Sequence, residues 1–145
     1  MARFKFRLQS VLTIKEKVED LKKNEFGKAV SALAEAQRVK TEMEAMRDDC
    51  IDEFRRDIDE GIDPEAFRRY NLFIEKMKIA IKNQEQVVAR AEAFVEQKRQ
   101  ELVEAMRDKK TLETLRDNDF EEFLIEEKKQ EQKVVDEIVS YKGSK

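Results

Sequence analysis

Residue types able to carry covalent or acid–base chemistry are scarce in this sequence. Histidine is absent, and the one cysteine, Cys50, falls on an apolar stripe where it reads as a small core hydrophobe. Adjacent carboxylates such as Asp48-Asp49 and Glu121-Glu122 are the raw material of paired acid and base work. Nothing in the chain folds over them to shift a pKa, so they read as solvated helix faces. There is no glycine-rich phosphate loop and no spacing of metal ligands. Two helices side by side also form no concave substrate pocket. The residues point away from an enzyme, a metal centre and a cofactor.

What the sequence does carry is helix. Charged residues make up 43%, while three glycines and one proline are all that could interrupt a helix. Hydrophobic residues, at 40%, are too many and too periodic for plain disorder. The 30 basic and 33 acidic residues are interspersed and leave a net charge of −3, which gives no field for gathering nucleic acid. No apolar run is long enough to span a membrane, and Met1-Ala2-Arg3-Phe4-Lys5-Phe6-Arg7 lacks the apolar segment of a signal peptide. With a single cysteine, these features lead to the expectation of a soluble, cytoplasmic protein.

The stretch Glu60-Gly61-Ile62-Asp63-Pro64 holds the strongest helix-breaking signal. Gly61 can take the left-handed conformation that closes a helix, Asp63 can cap the next one, and Pro64 suits its first position. Glu65 adds a favourable charge in the first turn. One helix is expected over about 8–59, a turn over 60–63 and a second helix over about 64–141, as a single domain spanning 1–145.

Each helix shows an apolar stripe. In the first, Val11, Ile14, Val18 and Leu21 lead to Glu25. Ala29, Ala32, Ala36, Val39, Met43, Met46, Cys50, Phe54 and Ile58 follow. Gly27, in mid-helix, predicts a bend or a close approach of backbones. In the second helix, Phe67, Tyr70, Ile74, Met77, Ile81, Gln84, Val88, Ala91, Val95, Lys98, Leu102, Ala105, Lys109 and Leu112 keep the three-four spacing of a coiled coil.

If the chain folds back at the turn, facing residues should have numbers adding to about 123. The two stripes, read separately, agree with that register. Val18 then meets Ala105, Leu21 meets Leu102, and Met46 meets Met77. The polar intruders Glu25 and Lys98 share a layer with opposite charge. The expected fold is therefore all-α, a long antiparallel two-helix coiled-coil hairpin.

Two surfaces exceed what one seam needs. The first helix runs out near residue 8, opposite residue 115. About 25 residues of the second helix should then overhang without a partner, carrying Phe120, Phe123, Leu124, Val134 and Ile138. In mid-hairpin, Leu72, Phe73, Ile79 and Ala80 broaden the stripe opposite Val39, Met43, Met46 and Cys50, a width suited to a partner. The alternating Phe4, Phe6 and Leu8 read as a lead-in arm or first helical turn.

The opening Phe4-x-Phe6-x-Leu8-x-x-Val11-Leu12 with Lys15, and the Gly61-Ile62 turn followed by Tyr70-x-x-Phe73-Ile74 and Ile81, resemble the flagellar export protein FliJ family and its type III secretion relatives. The resemblance covers essentially the whole chain. It implies a cytoplasmic rod, similar to the central stalk of rotary ATPases, whose open end enters the hexameric export ATPase and promotes ring assembly. Phe4, Phe6, Phe120, Phe123, Leu124, Val134 and Ile138 would serve that end. It also implies contact with the cytoplasmic domain of the export gate. The matching positions are Val39, Met43, Met46, Cys50, Phe73, Met77, Ala80 and Gln84. Escort of export chaperones, a monomeric free state and membrane association only through the export apparatus complete the expectation. The competing reading is a structural coiled coil, a spacer or self-assembling scaffold, with no ATPase partner.

Overall fold

The computed structural model describes residues 3–144. Among these there are two helices and no strand: α1, Gln9–Glu60, of 52 residues, and α2, Pro64–Gly143, of 80. They pack against each other as an antiparallel coiled-coil hairpin, and α2 outruns α1. Packing divides the chain into two compact units, Lys23–Glu101 and Met1–Lys22 with Leu102–Lys145.

The first unit contains the reversal. Gly61 has φ +98°, a left-handed conformation that a side chain would strain, and its N–H donates to the Ile58 carbonyl at 3.2 Å. Asp63 Oδ1 then accepts the Ala66 N–H at 2.7 Å, which caps α2. Next to the turn, the Phe54 ring packs against Phe67 and Tyr70, with centroids 5.3 and 4.9 Å away. The Tyr70 hydroxyl donates to the Asp57 carboxylate, a bond from one helix to the other.

Further along this unit the buried positions are mostly small. Ala29, Ala36 and Ile81 are buried, and the small Ala36 leaves its carbonyl within reach of Gln84 Nε2 at 2.9 Å. Glu25 and Lys98 do meet in one layer, at 3.4 Å, and Lys98 also reaches Glu101 at 3.0 Å. Gly27 does not mark a close approach: a Cβ built there meets nothing within 4 Å.

In the second unit the α2 stripe follows the expected phase, with Leu102, Ala105, Lys109 and Leu112 all turned inward. The α1 stripe does not. Leu12 is completely buried, whereas Val11, Ile14 and Leu21 are 37%, 58% and 54% exposed. The seam runs through Leu8, Leu12, Lys15, Glu19 and Lys22, one position ahead of the apolar stripe. The physical reason is a polar seam. Glu19, 5% exposed, receives the Lys109 ammonium at 3.1 Å, and Lys15 reaches Asp108 at 3.7 Å. The Glu19 carboxylate holds the Lys109 amine above its ordinary pKa. A phase taken from hydrophobicity alone cannot anticipate ion pairs that occupy the facing positions. The same correction applies, residue by residue, to Ala32, Met46, Ile58 and Phe67, which are exposed where Leu33, Arg47, Asp57 and Ala66 are partly covered.

The N-terminal arm shortens the overhang. Residues 3–6 have no regular structure, and a turn at 7–8 leads into α1. Phe6 is buried, and Phe4 lies 5.2 Å from Phe120 and 5.5 Å from Phe123. Intramolecular cover of α2 therefore extends to Phe123 instead of ending opposite residue 115. From Leu124 to Ser144 every residue but Glu127 is exposed. That segment stays helical through strong helix formers and local side-chain pairs, such as Gln130 with Glu126 at 3.3 Å and Gln132 with Asp136 at 3.0 Å.

Two outcomes test these assignments. Gly27→Ala should stabilise the chain by about 1 kcal/mol, because the site is open and helical. Asp63→Ala should cost about 1 kcal/mol through loss of the cap. Urea unfolding followed by circular dichroism reads both. Separately, the hydrogen bond to Asp57, then burial, pushes the Tyr70 phenol up to about 12 from 10.0. Because the folded chain holds the proton more tightly, this stabilisation is complete below the ordinary tyrosine value and is lost as pH climbs towards the raised one. With Tyr141→Phe, Tyr70 is the sole tyrosine, so phenolate absorbance follows it directly. The midpoint should fall back when Asp57→Asn is added.

Candidate partner-binding surfaces

The eight residues expected to face an export gate all lie in the unit Lys23–Glu101, but they are not equivalent. Gln84 is turned into the seam by its bond to the Ala36 carbonyl. Val39, Met43, Cys50, Met77 and Ala80 are half-buried. Met46 and Phe73 are open to solvent, at 54% and 38% exposure. A residue shared between seam and surface contributes to a partner only through its outer edge, so Met46 and Phe73 are the free apolar groups of the set.

These two border a groove of about 530 Å³ between the facing stretches of α1 and α2 near the turn. Its apolar lining comes from Met46, Cys50, Ala66, Tyr70 and Phe73. Its α1 side carries Asp49, Glu53 and Asp57 at successive four-residue steps, which puts the three carboxylates on one face. Arg69 is the one basic residue that lines it. Burial, then the Glu53 charge, pushes the Cys50 thiol above its ordinary value. Hydrophobicity had located the apolar part of this surface. The acidic row lies outside the apolar stripe, and its four-residue spacing beside Met46 and Cys50 is the signal in the sequence that locates it.

The residues expected at the open end divide as well. Phe4, Phe120 and Phe123 form an internal aromatic clasp, and Phe6 is buried at 8% exposure. Leu124, Val134 and Ile138 are exposed, joined by Ile125, Val135 and Val139 on the same bare length of α2. The stripe Val11, Ile14 and Leu21, assigned from sequence to the seam, is a further exposed apolar surface on α1.

Among the described residues no three metal-binding side chains converge, and no helix is long and apolar enough to cross a membrane. What the arrangement offers is helix faces with unsatisfied apolar area, the substrate of protein–protein docking.

Comparison with known proteins agrees with the architecture. A structure of a YscO homologue, CT670, from Chlamydia trachomatis superimposes with a TM-score of 0.72 over 94% of this chain and 93% of that one, at 21% identity. The flagellar FliJ protein of Bacillus subtilis strain 168 is 24% identical over 135 residues, covering 93% of this chain and 92% of its relative. The family model described as flagellar FliJ protein matches residues 4–145, from the first aromatic of the clasp to the end of the chain. The chain belongs to the flagellar FliJ family.

Proposed function

We propose that this chain is a non-enzymatic component of the flagellar type III protein export apparatus, acting as the central stalk of its ATPase. Family membership supports the export role. The observation that carries the stalk reading is the length of α2 beyond the aromatic clasp. There Leu124, Val134 and Ile138 are each about half exposed with no neighbouring helix to cover them. Covering those apolar side chains would add the packing stabilisation that the segment's local pairs do not supply, so the segment is suited to a cavity supplied by another protein. A hexameric ATPase ring has one on its axis.

In this reading the open end enters the ring and promotes its assembly, and the mid-hairpin surface around Met46 and Phe73 contacts the cytoplasmic domain of the export gate. The chain thereby links the two, and it escorts export chaperones to them. It resides in the cytoplasm, reaches the membrane only through the export apparatus, and is monomeric until the ring is present. The near balance of 30 basic and 33 acidic residues gives it no general affinity for nucleic acid.

The test is ATP hydrolysis by the cognate flagellar export ATPase with and without the full chain. The wild type should stimulate hydrolysis. The triple variant Leu124→Glu, Val134→Glu, Ile138→Glu should lose nearly all of that stimulation while keeping its helix content, because those side chains are about half exposed and glutamate is a strong helix former. Absence of stimulation by the wild type, combined with concentration-dependent self-association in sedimentation, would replace the stalk with a self-assembling scaffold.

A further inference from the structure

The groove beside the turn combines features that separately mean little. Its apolar lining, from Met46, Cys50, Ala66, Tyr70 and Phe73, is contributed by both helices, so it is a concavity and not merely a stripe on one surface. Its rim is a row of three carboxylates, Asp49, Glu53 and Asp57, against the single cation Arg69. The row runs along the groove with the pitch of the helix that carries it, about 6 Å between successive members.

We propose that this groove binds a partner helix that carries Lys or Arg at four-residue intervals beside one large apolar side chain. The carboxylate row and a basic row on an antiparallel or parallel helix share one repeat, so three pairs can form at once with an apolar residue seated between Met46 and Phe73. Two neighbours register the negative rim from inside. Glu53 contributes to raising both the Cys50 thiol and the Tyr70 phenol, after burial in the one and after the Asp57 hydrogen bond and burial in the other. An acidic helix would meet like charges along its whole length, so the groove discriminates by repulsion as well as by attraction.

This deepens the gate-facing reading of the mid-hairpin surface and rests on it for the identity of the partner, though not for its chemistry. The experiment has two arms. In the first, the full chain is titrated with the cytoplasmic domain of the cognate export gate at low and high salt, alongside the double variant Asp49→Asn, Glu53→Gln. Both substitutions lie on an exposed helix face and leave the Asp57–Tyr70 bond in place. The variant should bind about tenfold more weakly, and most of the salt dependence should disappear. Phe73→Ala should weaken binding at every salt concentration.

In the second arm, the full chain is titrated with a synthetic alanine-based helical peptide bearing three arginines at four-residue spacing and one leucine. A charge-reversed peptide with three glutamates serves as the comparison. The arginine peptide should bind at least about tenfold more tightly than the glutamate peptide, and the double variant should erase the difference. Equal affinity for the two peptides overturns the proposal. So does a gate domain whose binding ignores the double variant but is lost with Phe73→Ala, which would make the contact purely apolar. A gate domain that does not bind at all, with the arginine peptide still preferred, overturns the gate reading and leaves the groove's specificity standing for a different basic partner.

Discussion

A helix with a single neighbour can hide one stripe of its surface and no more. Nearly every property of this chain follows from that limit. The buried hydrophobic side chains are few, Phe6, Leu12, Ala29, Ala36, Ile81 and Ala105, and three of them are alanine. Small residues at the seam let the backbones come together but bury little area, so the hairpin relies on polar layers for much of its pairing. Glu19 with Lys109, Glu25 with Lys98 and Gln84 with the Ala36 carbonyl occupy positions that a larger protein would give to leucine. Such layers add little to stability on balance, since desolvation offsets attraction. They do penalise every register that leaves them unpaired, and a long coiled coil has many registers to choose from.

The same limit leaves apolar residues outside. Met46 and Phe73 beside the turn, Val11, Ile14 and Leu21 on α1, and the bare length of α2 after Phe123 are each more than a third exposed or wholly uncovered. A globular domain would fold a third layer over them. Among the described residues no third layer covers them, and the surfaces are consistent with a component completed by its neighbours. Family membership and the exposed helix end converge on that reading from different directions.

How much of this was legible in the sequence differs between the helices. On α2 the seam was readable almost residue by residue, from Tyr70 to Leu112, because its three-four spacing is unbroken and its polar members were included as slots in the stripe. The turn was readable because Gly61, Asp63 and Pro64 each have a conformational requirement of their own. On the first part of α1 the reading slipped by one position. Val11, Ile14, Val18 and Leu21 form a better apolar stripe than Leu8, Leu12, Lys15 and Glu19, yet the second set faces α2. Periodicity reports which face is apolar. It does not report which face has a neighbour, and in a two-helix protein those can differ. The clasp between Phe4 and α2 was hidden for a related reason. Its members are far apart in sequence and one of them precedes the helix, so no local pattern joins them.

The hairpin connection has a kinetic consequence. Contacts across the seam lie 13 residues apart at Tyr70–Asp57, 48 at Gln84–Ala36 and 73 at Lys98–Glu25, and they lengthen steadily away from the turn. Closing the long loops directly would be slow, but each layer, once formed, brings the next within reach at the cost of ordering only a few residues. Assembly from the turn outward is the low-entropy route, with the Phe4 clasp closing last. Unzipping would run the other way. The clasp end of the molecule is then the first to come undone, and any change that holds Phe4 against Phe120 and Phe123 slows the opening of the rest of the seam.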